Sequence, residues 1–215
     1  MANWKIKLSL FLNYFVFAIL LNSVGTVILQ VQNNYGISQG DASVLEAFKD
    51  LSIAIVSFLV ASYIVRIGYK RSMLIALGFV AVACLFMALS PGFGTTKLLF
   101  AAVGSSFALI KVSVYATIGI ITDNEKDHAS FMNFIESFFM VGILTGYFVF
   151  AAFVDNNNLQ STAWVNVYYL LAGLSAAAFF LLYTSPLDES SVHIEETKPL
   201  LEDFADMFKS AKQPI

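Results

Sequence analysis

The chain has 215 residues, 58% of them hydrophobic and only 13% charged, with a formal net charge of -3 and a mean hydropathy of +0.75. A soluble domain carries about 25% charged residues, so this chain has too few to cover a water-exposed surface. Its small net charge offers no footprint for nucleic acid, and its single cysteine, Cys84, excludes a disulfide framework within the chain.

No Asp, Glu, Lys or Arg occurs in residues 8–40, 72–96 or 156–187, and residues 98–122 and 129–154 are each interrupted once, by Lys111 and by Glu136. Crossing a bilayer core about 30 Å thick takes roughly 20 apolar helical residues. The expected fold is therefore an all-α membrane protein. Six transmembrane helices are predicted over residues 1–184, followed by an acidic tail over 185–215.

The first span, 8–32, follows Lys5 and Lys7. Its apolar run is too long for the core of a signal peptide, and no small-residue cleavage site follows it. Asn22, Gly25, Thr26, Leu29, Gln30 and Asn33 fall at helical spacing and predict a polar stripe turned towards protein or water. Helix–helix hydrogen bonding is the plainer role for Asn22 and Gln30.

The second span, 44–65, is predicted to start at a Ser43 cap. Glu46, Lys49 and Asp50 in its opening turns form either an interfacial charge network or a gate. Arg66, Gly68, Lys70 and Arg71 fill the link to the third span, 72–91, in which Cys84 reads as a buried thiol. The fourth span, 97–122, carries Lys111. The fifth, 130–154, has a Ser130 cap, Glu136, and Gly142 and Gly146 at the spacing that favours close helix packing. The sixth, 164–184, is capped by Ser161 or Thr162. Pro91, Pro186, Pro199 and Pro214 fall at span ends or outside them, which predicts largely unbroken helices. In the tail, Leu200, Leu201, Phe204 and Phe208 fit either a short amphipathic surface helix or a solvated linker.

Lys5, Lys7, Arg66, Lys70, Arg71, Lys126, Lys198, Lys209 and Lys212 lie in alternate connectors, whereas the other connectors hold only Lys97 at an edge. The charge bias predicts a multi-pass protein of the plasma (inner) membrane with both termini cytoplasmic, in keeping with an even number of crossings.

Lys111 lies near the middle of its span, where an ammonium costs about 2.5–3.5 kcal/mol or more. By the helical rise it stands roughly 16 Å from the cytoplasmic end, and Glu136 roughly 10 Å. A Lys111–Glu136 pair is thus within reach if the fourth and fifth helices are neighbours, and it is favoured over two isolated charges. Such a pair either lines a water-accessible cavity that binds solute or exchanges a proton, or clamps two helices. Gly104, Ala108, Lys111, Tyr115 and Thr122 are expected on one face of the fourth helix, with Asn133, Glu136, Met140 and Tyr147 aligned on the fifth. Nucleotide, metal and nucleophile motifs have no match, and the two histidines, His128 and His193, lie in polar connectors. No enzyme chemistry, metal or cofactor is expected. Membrane lipid is the expected surrounding.

Residues 61–70, Ala-Ser-Tyr-Ile-Val-Arg-Ile-Gly-Tyr-Lys, resemble the signature loop G-x-L-x-D-R-x-G-R-[KR] of the major facilitator superfamily. Arg66, Gly68 and Lys70 match, while Ala61 and Val65 replace the glycine and the aspartate. Six helices with both ends inside and an acidic linker look like the N-terminal half of such a transporter. Residues 111–119 and 130–139 look most like its fucose/glucose/galactose–proton symporters. The resemblance implies two three-helix repeats and a solute site between this half and a second six-helix half, either a missing C-terminal part or a partner chain. It also implies proton-coupled symport of a small polar solute, a sugar among the candidates. Asn22, Gln30, Lys111, Tyr115, Asn133 and Glu136 are the residues assigned to substrate binding and proton coupling. Tyr147, not proline, follows Gly146, which departs from the antiporter signature. The reading from another class is a non-transporting scaffold or assembly subunit with a structural Lys–Glu clamp.

Overall fold

The computed structural model describes residues 3–190, except the side chains of Asn3, Ala61 and Ser62; the predicted surface helix of the tail lies outside the described residues. Helices α1 (Asn3–Asn22), α2 (Val24–Tyr35), α3 (Gln39–Ile67), α4 (Tyr69–Leu89), α5 (Phe93–Ile121), α6 (Glu125–Phe153) and α7 (Val167–Thr184) follow in order, with a 3-10 turn, Ala163–Asn166, leading into α7.

Local chemistry sets the boundaries. The expected first span is two helices, because the ladder bends at Ser23. There the Ser23 hydroxyl donates to the Leu20 carbonyl at 2.7 Å and Asn22 Nδ2 donates to the Ala18 carbonyl at 3.4 Å. Side chains that bond back to carbonyls within a turn compete with the backbone ladder and bend it. Ser23 itself stays helical (φ -68°, ψ -14°), so the break is a kink and not a loop.

Two caps lie upstream of the serines expected to serve. Ser38 accepts from the Asp41 amide at 3.2 Å and starts α3 at Gln39, ahead of Ser43. Asn124 accepts from the Asp127 amide at 2.9 Å and starts α6 at Glu125, ahead of Ser130. Acidic residues in both first turns (Asp41; Glu125 and Asp127) face the positive helix ends.

Long helices pair closely where side chains are small. A Cβ on Gly142 would come within 2.6 Å of Ala18 Cβ, and one on Gly146 within 3.2 Å of the Ile19 Cα, so α6 lies directly on the backbone of α1. A Cβ on Gly104 would collide with the Lys49 carbonyl, which seats α5 against α3. Helices in lipid gain no hydrophobic drive from pairing, so such backbone approach provides much of their affinity. Gly104 and Ala108 are buried, while Lys111 is exposed. At one end of the bundle Asn34 Nδ2 donates to the Leu159 and Ser161 carbonyls, both at 3.2 Å, while Trp164 Nε1 donates to Asn34 Oδ1. That set ties α2 to the connector before α7.

Among the described residues five segments are long and apolar enough to cross a membrane: Trp4–Asn22, Tyr69–Leu89, Phe93–Ile121, Glu125–Phe153 and Ala163–Thr184. Large apolar side chains point outward along them, among them Phe79, Val82 and Phe86 on α4 and Leu144, Tyr147 and Phe148 on α6. A face of that kind is compatible with lipid and not with water. The protein is a multi-pass membrane protein.

Candidate functional site

Three helices bring polar side chains together inside the bundle. Helix α1 wedges between α5 and α6: the Tyr14 ring lies 6.1 Å from Phe107 of α5 and 5.0 Å from Phe139 of α6, and those two phenyl rings are 6.0 Å apart. Gly142 and Gly146 make the wedge possible by drawing α6 onto α1. Above this aromatic floor, Tyr14 donates its hydroxyl to Glu136 Oε1 at 3.1 Å, and the Tyr115 hydroxyl donates to the same oxygen. The two phenolic oxygens are 3.0 Å apart. One carboxylate on α6 is thus held by hydroxyls from α1 and α5.

Lys111 and Glu136 occur at similar depth, about 15 Å from the end of α5 and about 16 Å from the start of α6. Glu136 is deeper than expected because α6 begins at Glu125. Even so, the two side chains form no ion pair within 4.0 Å, and the expected direct contact is corrected. Tyr115 stands four residues, one helical turn, beyond Lys111 on the same face, and its hydroxyl takes the carboxylate. The Lys111 ammonium is instead 5.9 Å from the centroid of the Tyr115 ring, at the outer limit of a cation–π contact. Lys111 is exposed; Tyr115 and Glu136 are half-buried.

The other predicted residues separate. Asn22 and Asn133 are exposed on α1 and α6, whereas Gln30 is buried on α2, because the kink at Ser23 divides the predicted stripe. About three turns into α3, Lys49 Nζ meets Asp50 Oδ1 at 3.3 Å, with Asp50 well exposed. Sequence periodicity passes over Tyr14. Its one signal is the polar pair Asn13-Tyr14 inside an otherwise greasy stretch.

A second polar cluster surrounds the α3–α4 link. Gly68 has φ +89° and serves both as the C-cap of α3 and as the N-cap of α4, a conformation that favours glycine. The Lys70 amide donates to Glu189 Oε1 at 2.7 Å, so a carboxylate from beyond α7 caps α4. Lys70 Nζ in turn donates to the Tyr183 and Ser185 carbonyls at 3.1 and 2.7 Å, where cations favour the C-terminus of α7. Val65, Arg66, Ile67, Gly68, Tyr69, Arg71 and Glu189 line a cavity of 280 Å³. Glu189 supplies a carboxylate beside the loop in which Val65 replaces the aspartate of the pattern, and its position within an acidic tail conceals that role in the sequence.

Residues 10–213 match the family model described as Major Facilitator Superfamily. A comparison with curated proteins finds no match. Among solved structures, the crystal structure of a D-xylose-proton symporter is similar with a TM-score of 0.66 at 14% identity, over 98% of this chain and 53% of that one. The likeness is one of fold, and the chain spans about half the length of that symporter.

Proposed function

Because this chain belongs to the major facilitator superfamily, we propose that it forms the N-terminal half of a secondary active transporter, not an enzyme. It moves a small polar solute, a sugar or sugar derivative, together with a proton. A second six-helix half provides the opposing wall of the cavity. The positively charged connectors face the cytoplasm across a plasma membrane.

The observation that carries this reading is the convergence of Tyr14, Tyr115 and Glu136 from three helices. A membrane-embedded carboxylate with phenolic donors on a half-exposed face is a site for reversible protonation, since both phenols can also accept a hydrogen bond from the neutral acid. Glu136 carries the proton, Lys111 and Tyr115 meet the solute, and Asn22 and Asn133 contribute to the rim. Gln30 is assigned to helix packing. The symporter likeness supports the proton-linked mode only through its fold.

Glu136→Gln tests the assignment. A carboxamide keeps the shape but cannot take up and release a proton. The variant in proteoliposomes is expected to lose accumulation driven by a pH gradient while retaining solute exchange between equal pH values. Wild-type accumulation by Glu136→Gln would remove Glu136 from proton coupling.

A further inference from the structure

Lys111 forms no ion pair among the described residues. No carboxylate of the described residues lies within 4.0 Å of its ammonium: Glu136 is bound by two phenols, and Asp50 pairs with Lys49. The nearest favourable contact is the Tyr115 ring face at 5.9 Å. The residue is also exposed, on the same face and one turn from the half-exposed carboxylate site. A cation held at mid-depth in a bilayer without a partner is costly. An ammonium so placed, and reachable, is a group that can bind an anion through a charge-assisted contact.

We infer that the transported solute is a small organic anion, a monocarboxylate such as a sugar acid, bound through its charge to Lys111. This rests on the proposed symport through Glu136, and charge balance at the site carries it further. With Lys111 charged and Glu136 ionised, the empty site is neutral. Loading a proton on Glu136 and a monoanion on Lys111 leaves it neutral again. A proton with an uncharged sugar would leave the loaded site with one uncompensated positive charge in a low-dielectric setting. Sugar hydroxyls can hydrogen-bond an ammonium but cannot neutralise it. Among the described residues, the titratable groups that meet Glu136 from the packed helices are Tyr14 of α1 and Tyr115 of α5, with Lys111 over the Tyr115 ring; none of them supplies a fixed anion.

The complete protein in proteoliposomes, under an inward-directed pH gradient, decides the matter with matched probes. These are D-glucuronate against D-glucose, D-galacturonate against D-galactose, and L-lactate against 1,2-propanediol. At least one acid is expected to enter roughly tenfold or more faster than its neutral counterpart, as loss of one charge-assisted contact implies. Lys111→Gln should erase that preference and Lys111→Arg should keep it. A potassium diffusion potential set with valinomycin should leave acid uptake unchanged, because a proton and a monoanion move no net charge. Neutral probes entering as fast as acids, at a rate that rises with an inside-negative potential, would overturn the anion and leave the symporter standing. A preference for acids that survives Lys111→Gln would overturn Lys111 as its source. No uptake of any probe by inserted protein would overturn this inference and the symport reading together. Poor membrane insertion of both Lys111 variants, with no acid preference in the wild type, would mark Lys111 as paired to a fixed carboxylate of the other half.

Discussion

Tyr14 and Tyr115 each give Glu136 one hydrogen bond to the same oxygen. A bond to a charged acceptor is worth about 1.5–3 kcal/mol when its loss leaves the group short of donors. Tyr14→Phe and Tyr115→Phe are therefore expected to slow uptake driven by a pH gradient by roughly tenfold or more, without loss of inserted protein. Tyr35→Phe is the matched control, since the Tyr35 hydroxyl is buried with no partner and its removal should leave transport intact. Wild-type rates in both site variants would show that the phenols pack and do nothing more. The site was only partly legible from the residues. Lys111 and Glu136 stand out as charges in apolar runs, and Tyr115 follows from its place one turn beyond Lys111. Tyr14 does not stand out, because a tyrosine among phenylalanines has the same apolar pattern whether its hydroxyl is satisfied or not. The absence of a direct ion pair could not be read either: helical depth says how far a residue lies along an axis, but not which third helix intrudes between two others.

At the scale of the element, periodicity gives the helices and capping chemistry moves their ends. Ser43 and Ser130 have the right residue type, but Ser38 and Asn124 lie one turn or more upstream with acidic first turns behind them, and they are the caps that form. The kink at Ser23 was hidden because no proline marks it; a serine and an asparagine bond back to their own carbonyls instead. Close packing of α6 was legible from the spacing of Gly142 and Gly146, though not that α1 is the partner, and the contact makes a sharp prediction. Gly146→Leu forces side-chain atoms against the Ile19 backbone, and overpacking of this sort costs about 1–3 kcal/mol. Its melting temperature in detergent should fall. Gly173→Ala, where no neighbour lies within 4 Å of the added carbon, should hold or gain up to about 1 kcal/mol through helix propensity. Equal melting temperatures in the two variants would mean that α1 and α6 do not depend on backbone contact. The same contact aims Tyr14 at Glu136, so Gly146→Leu should also weaken uptake more than its residual stability accounts for.

Across the whole molecule, most basic residues fall in alternate connectors, which helices of alternating direction bring to the same side. Lys7 near the start of α1 lies over the ring of Phe131, near the start of α6, at 5.2 Å. Lys70 at the start of α4 binds the carbonyls at the end of α7. These contacts put the N-terminal end of α1 beside the start of α6 and the α3–α4 link beside the exit of α7, with Asn34, Ser161 and Trp164 tied at another cluster of helix ends. Positive connectors are retained on the cytoplasmic side during insertion, so the basic end should face inward. Accessibility can test this directly. Cys84 is fully buried and should resist a membrane-impermeant maleimide, which makes the wild-type chain a silent background. Cysteine placed at Asn157, in an exposed connector between α6 and α7, should react in intact cells. Cysteine placed at Glu125, exposed at the start of α6, should react only after the membrane is opened. The reverse pattern would turn the molecule over, place Glu189 and the Gly68 link outside, and reverse the side from which a proton reaches Glu136 along α6.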